Sequence, residues 1–195
     1  DVTIGNLNMT TLQAFSQGNL VRSSGSIKGK VVLDGKFTEP HWNGGISFDT
    51  TRFSIVKLGT SYAIDNQKIT FNYPIISLGN FTIKDSTSNI MVIDGDITSK
   101  SIAEYNLDLG INAKNFTVVN VSKAFDNQVY GYAAMDADIS VTGNSTSPAI
   151  EGNISLNDKS DVTMVLPESN INKDAAKSVV RFIDKDTFYL PEKIK

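Results

Sequence analysis

The few residues that could support acid–base or nucleophilic chemistry lack the neighbours that such chemistry needs. His41 is the single histidine, so any Ser-His-Asp triad would have to use it, but no Gly-x-Ser-x-Gly elbow is present. Because His41 lies between Pro40 and Trp42, we interpret it as a residue of a corner turn. A Ser-x-x-Lys pair, Ser54 to Lys57, falls inside a strand pattern instead of at the start of a helix. The sequence therefore predicts no catalytic residues and no enzyme.

Two pairs of acidic residues have the spacing of ligands on one strand face. Asp94 with Asp96, and Asp136 with Asp138, could bind calcium or cleave a glycosidic bond. Neither pair continues into a calcium loop with its glycine and closing glutamate, and the chain has no cysteine. We interpret both pairs as solvated and predict no metal site and no cofactor.

Composition limits the kinds of partner. The net charge of the 195-residue chain is -3, and no cluster of Lys and Arg exceeds two neighbours. A nucleic-acid partner is therefore not expected. Hydrophobic residues make up 40% of the chain, which is enough for a continuous apolar core.

Alternation of apolar and polar residues dominates the chain from about residue 25 to residue 166. This period of two is typical of strands with one buried face. After a break at 113–115, Phe116 and Val118 continue the alternation of the segment before them, as either a new strand or one long bulged strand.

Turn signals separate the alternating segments at intervals of roughly 8 to 15 residues, which predicts an antiparallel meander. They are Asp34-Gly35, Asn43-Gly44-Gly45, Asp65-Asn66, 85–89, Asp94-Gly95 and 143–148.

These patterns predict three regions. Residues 1–20 form a poorly defined lead-in, in which 10–16 could be a helical turn or irregular. Residues 21–166 form a β domain built from repeats. Residues 167–195 form a linker with a short amphipathic helix from Lys173 to Asp184, because apolar residues there recur at helical spacing.

An internal repeat supports a stacked architecture. The segment 31–48 matches 139–156 in register, at a constant offset of 108 residues. Each copy contains a strand that ends in glycine, a polar turn closed by proline, and a glycine that opens a new alternating strand. Repeats of this kind bury a continuous core by stacking.

At this repeat the sequence resembles the C-terminal region of the TamB family (translocation and assembly module), within the wider AsmA-like group. The resemblance rests on Gly29-Lys-Val-Val-Leu-Asp-Gly35, on Pro40-His-Trp-Asn-Gly44, and above all on the segment from Leu58 to Gly95. It covers roughly residues 20–166.

The resemblance implies a fold and a cellular setting. The expected fold is all-β, an elongated antiparallel sheet curled lengthwise into a taco-like half-pipe or a solenoid-like form, with the short C-terminal helix after it. The full-length protein would be anchored in the inner membrane of a Gram-negative bacterium, with this fragment in the periplasm. Its implied role is non-catalytic, in phospholipid transport between membranes or in outer-membrane protein assembly, and a partner could be an outer-membrane β-barrel protein.

Acyl chains of phospholipids are the ligand that such a half-pipe implies. The residues that we expect to line its groove alternate with polar neighbours, and they are Ile69, Phe71, Tyr73, Phe81, Ile83, Leu107, Leu109 and Ile111. The same residues could instead form an ordinary packed core.

Two further alternatives remain open from sequence. Exposed Asn and Thr ladders with Trp42 would suit an extracellular β-solenoid adhesin or a carbohydrate-binding module. Open sheet edges would also allow the fragment to form a homodimer or to stack end to end.

Overall fold

A computed structural model describes residues 2–36, 39–101, 103–124 and 129–165, almost all of which lie in strands. The strands in chain order are β1 (Val2–Asn8), β2 (Leu20–Lys36), β3 (Glu39–Ile55), β4 (Thr60–Ile64), β5 (Gln67–Asn72), β6 (Ile75–Lys84), β7 (Ile90–Ser99), β8 (Tyr105–Val121), β9 (Val129–Asn144), β10 (Ala149–Leu156) and β11 (Asp161–Met164). One α-helix, α1 (Met9–Phe15), and a 3₁₀ turn, Val56–Leu58, complete the described elements.

All eleven strands form one antiparallel sheet in the order β1-β2-β3-β4-β6-β7-β8-β9-β10. β5 pairs with β3 and β6, and β11 pairs with β9. The sheet is curled: β6 and β7 lie between β4 and β8 in the strand order, yet β4 and β8 contact each other. It does not close into a barrel, and the predicted all-β curled antiparallel sheet is confirmed.

The strands β4 and β5 act as one long strand with a kink. Both pair with β3 in a single register, from Ile64 opposite Thr51 to Asn72 opposite Asn43. The predicted turn at Asp65-Asn66 is therefore a kink between two collinear strands, with Asn66 in the left-handed region at φ 52°. Thr50 in β3, on the other side of the ladder, also has a positive φ, of 44°, so both strands turn over at the kink without an inserted residue. The burial pattern changes parity there, and Tyr62 before the kink and Ile69 after it lie on the same face.

Bulges, at which the register shifts, keep one face apolar along other strands. Asn80 in β6 and Asn115 in β8 have φ values of 51° and 49°. Each backbone N–H donates 2.7 Å to a carboxylate on the next strand, to Asp94 and to Asp136 respectively. The break at 113–115 is therefore a bulge inside one long strand, which was one of the two alternatives.

Three predicted turns are wrong. Asp34-Gly35 lies inside β2, where both residues pair with β3, Asn43-Gly44-Gly45 lies inside β3, and Asp94-Gly95 lies inside β7. At Gly44 φ is 139°, and a Cβ would lie 2.0 Å from the carbonyl oxygen of Lys30; at Gly95 φ is 128°, with the corresponding atom of Asp108 at 2.1 Å. These glycines permit close approach of neighbouring strands instead of reversing the chain.

The sequence repeat is also a structural repeat. In the first hairpin Val31 of β2 faces Gly44 of β3, and 108 residues later Ile139 of β9 faces Gly152 of β10. The two hairpins thus share their register. The prediction that His41 lies in a corner turn is wrong, because His41 lies within β3 and faces Asp34 of β2.

The remaining predictions concern the two ends. In the described part of the lead-in, β1 pairs with β2, and α1 follows β1. Of the two alternatives for residues 10–16, a helical turn and irregular structure, the structure contains the helix. The predicted linker and helix at 167–195 lie outside the described residues. Among the described residues, none belongs to a helix long and apolar enough to span a membrane.

Candidate functional site

The predicted groove residues of β5, β6 and β8 lie on one face of the sheet. Residues directly opposite each other in a ladder share a face. One row across four neighbouring strands is Phe71, Ile76, Ile97 and Leu107. A second row is Phe81, Ile93, Ile111 and Ile139. The apolar face therefore continues from strand to strand.

The rows are open along part of their length. We call Ile69, Phe71, Leu107 and Leu109 the open region, and each of these side chains is half-buried. Among the described residues, the ring of Phe71 stacks on no other aromatic ring. An open apolar strip of this kind can contact a ligand without first displacing a packed core.

Tyr73 occupies a different position from the other predicted residues. It lies in the turn between β5 and β6, where its ring stacks on His41 at 4.2 Å between centroids. Its edge also meets Trp42 at 5.6 Å. Tyr73 therefore caps one rim of the sheet.

The other half of the face is packed. We call Tyr62, Phe81 and Phe116 the packed region, and their exposed fractions are 7%, 5% and 2%. The rings of Tyr62 and Phe116 stack at 5.6 Å with an interplanar angle of 11°, which joins β4 to β8 across the curled sheet. Burial raises the pKa of Tyr62 to about 12, and the charge of Asp85 adds to the effect.

A pocket opens beside the packed region. Its volume is about 260 Å³, and it is lined by Phe53, Ile55, Leu58, Tyr62, Ile83, Met91, Phe116 and Val118. Every lining side chain is apolar or aromatic, so the pocket suits an alkyl group and offers little to a charged ligand. Ile83 is the one predicted groove residue that lines it.

Asp85 holds the packed region together from the turn between β6 and β7. Its carboxylate accepts hydrogen bonds from the backbone N–H of Thr117 and of Thr87, each at 2.8 Å, and from the side chain of Asn89 at 3.1 Å. Burial alone would raise the pKa of Asp85, but these hydrogen bonds lower it to about 2. The carboxylate thus ties β8 to the tip of this hairpin.

The groups considered for catalysis have structural contacts. His41 Nδ1 lies 3.4 Å from Asp34 Oδ1. Ser54 shares a 2.6 Å hydrogen bond with Ser61. Within the described ranges, no three metal-binding side chains come together.

Three of the four residues in the acidic pairs accept hydrogen bonds within the sheet. Asp94 accepts the N–H of Asn80, and Asp96 accepts a 2.7 Å hydrogen bond from Ser77. Asp136 accepts a hydrogen bond from the Lys114 side chain and another from the backbone N–H of Asn115, and these lower its pKa.

Sequence reasoning missed the contact between Tyr62 and Phe116 and the role of Asp85. Asp85-Ser-Thr-Ser-Asn89 does carry a recognisable signal, because an aspartate often accepts the N–H two residues later in a turn. The aromatic contact joins residues far apart in sequence, and alternation alone gives no signal for it.

Comparison with known proteins gives one match. A family model, the C-terminal domain of TamB, matches residues 79–194, which is more than half of the chain. Searches of curated proteins and of solved structures found no significant match. The match overlaps the segment from Leu58 to Gly95 only in its last part and extends beyond residue 166. The chain therefore belongs to the TamB family, which implies a protein of the bacterial envelope.

Proposed function

We propose that this chain is a non-catalytic segment that shelters phospholipid acyl chains on the apolar face of its curled sheet. In this proposal the segment lies in the periplasm and serves lipid transport between membranes, outer-membrane protein assembly, or both. A full-length protein anchored in the inner membrane and an outer-membrane β-barrel partner belong to the same proposal.

The observation that carries the proposal is the continuity of half-buried apolar side chains from strand to strand. The row from Phe71 to Leu107 crosses four strands, and three spacings of about 4.8 Å make it roughly 14 Å long. The hydrocarbon of one membrane leaflet is about 15 Å thick, half of a core of about 30 Å. The row thus matches the length of apolar surface that an acyl chain needs.

An acyl chain has a lower free energy on such an apolar strip than in water. Each methylene that leaves a membrane for water costs about 0.8 kcal/mol, so a full acyl chain costs more than about 10 kcal/mol. A continuous apolar face offsets this cost along the whole path. The pocket of about 260 Å³ is smaller than ligand pockets of roughly 300 to 1,000 Å³, so it fits the end of a chain and not a whole lipid.

The test compares two substitutions of equal charge on β8. Leu109→Asp places a carboxylate in the open region, whereas Asn112→Asp adds the same charge at an exposed position of the opposite face. Phospholipid bound to the purified proteins is extracted and quantified by mass spectrometry, after incubation with vesicles.

We expect the wild-type chain and Asn112→Asp to retain phospholipid and Leu109→Asp to lose most of it. Melting temperatures of the three proteins control for unfolding. Equal retention by both variants, or no lipid on the wild-type chain, would overturn the proposal.

A further inference from the structure

The strand β10 exposes a hydrophobic sheet edge. One side of β10 pairs with β9 from Ala149 to Leu156. Along its other side, no strand from the described ranges is paired. Ile150, Ile154 and Leu156 are 67%, 60% and 62% exposed.

In the first hairpin of the repeat, the strand that corresponds to β10 is β3, and the corresponding edge of β3 is paired. The counterparts of these three residues in β3 are Trp42, Ile46 and Phe48, which are all half-buried. There the edge pairs with β5, and Ile46 faces Ile69. The equivalent edge of β10 is therefore built to accept an antiparallel strand with alternating apolar residues.

Backbone orientation agrees with this comparison. The N–H of Asn157, which follows β10, donates to Ala134 of β9 at 2.9 Å. Since successive strand residues point in opposite directions, Ile154 and Leu156 direct their N–H and C=O groups to the open edge. In β3 the carbonyl of Trp42 likewise points outward and accepts the N–H of Tyr73.

Nothing in β10 discourages pairing with another chain. Exposed edges are commonly protected by lysine, proline or a bulge. The strand contains one charged residue, Glu151, and no proline or lysine, and its pairing with β9 has no register shift.

We propose that β10 pairs antiparallel with β10 of a second copy of this chain, about a twofold axis at Asn153. In this register Ile150 faces Leu156 of the second copy, and Gly152 faces Ile154. All three exposed apolar residues thus enter the contact. Glu151 faces Ser155, so no like charges meet.

This register has a consequence for the apolar face. The row that contains Leu109 and Val141 already reaches Ile150. Pairing adds Leu156 of the second copy and then its Met135, which is the ladder partner of Leu156. The apolar faces of two copies therefore become one continuous strip. The pairing goes beyond the proposed lipid function and does not depend on it.

The first test is the oligomeric state of the full chain across concentration, measured by sedimentation velocity. Ile154→Lys places a charge in the contact, while Ser155→Lys changes the opposite face of the same strand. Because Ile154 is 60% exposed, we expect its substitution to leave the fold intact. We expect dimers for the wild-type chain and for Ser155→Lys, and monomers for Ile154→Lys.

The second test fixes the register through a disulfide, since the chain has no cysteine of its own. Asn153 would face its own copy as a non-hydrogen-bonded pair, with about 4.5 Å between Cα atoms, which a disulfide can bridge. Asn153→Cys should therefore cross-link rapidly under mild oxidation and Ser155→Cys should not.

A wild-type chain that stays monomeric at every concentration would overturn the proposal. This holds also if the reason is that residues 166–195 of the same chain cover the edge of β10. Equal cross-linking of the two cysteine variants would overturn the register and with it the proposed contact. Retention of lipid is measured separately, so failure here leaves the lipid function standing.

Discussion

The packed region and the open region lie on the same apolar face but have different surroundings. In the packed region β8 contacts β4 across the curled sheet. Phe116 therefore stacks on Tyr62 and is almost fully buried. In the open region Phe71 and Leu107 stay half-buried. One curled sheet thus uses part of its apolar face as a packed core and leaves the rest half-buried.

The largest expected difference between the two regions is in the loss of folding stability when a phenylalanine is replaced by alanine. Phe116→Ala should destabilise the fold by about 3 to 5 kcal/mol, because it leaves a cavity in a buried contact. Phe71→Ala should cost about 1 kcal/mol, since a half-buried ring gains less from burial. Urea unfolding of the two variants measures both values, and equal costs would remove the distinction between the regions.

Asp85→Asn should destabilise the packed region by about 2 to 3 kcal/mol, through the loss of a charged acceptor for three residues. The folded pKa of about 2 lies below an unfolded value of about 3.9. The contribution is therefore complete above about pH 4 and is lost as the pH falls towards about 2.

Unfolding measured between pH 2 and pH 7 tests this dependence. The variant should show a weaker loss of stability on acidification than the wild-type chain. Asp158→Asn, at an exposed turn position, is the control and should change stability by less than about 0.5 kcal/mol. The same acid dependence in wild type and Asp85→Asn would refute the assignment.

A charge in the open region should cost less than one in a closed core. Phe71→Asp should destabilise by about 2 kcal/mol and should abolish lipid retention, because the carboxylate enters an apolar strip. Thr70→Asp adds the same charge on the opposite, exposed face and should have little effect on either property. Comparable results for both would show that the face assignment is wrong.

The smallest expected effect concerns the bulges that connect the two regions. Asn80 has φ 51°, a conformation that alanine adopts at a cost of about 1 to 2 kcal/mol and glycine adopts freely. Asn80→Ala should therefore destabilise by about 1 kcal/mol, and Asn80→Gly by a few tenths at most. Thermal unfolding distinguishes them, and the reverse order would exclude strain at this position.

Alternation in the sequence was enough to predict the all-β sheet and the shared face of β5, β6 and β8. It could not distinguish a turn from a strand at Gly44 or Gly95, because the close approach of a neighbouring strand is a tertiary property. The contact of Tyr62 with Phe116 depends on the curl of the whole sheet. For that reason the sequence left groove and packed core as equal alternatives, whereas the structure contains a packed region and an open one.

The most direct test of the lipid proposal is photo-cross-linking of the wild-type chain to a phospholipid with a diazirine in its acyl chain, followed by peptide mapping. We expect adducts on peptides of β5 and β8, centred on Ile69, Phe71, Leu107 and Leu109. Adducts confined to the opposite face or to β10, or no adducts at all, would contradict the claim that the open region receives acyl chains.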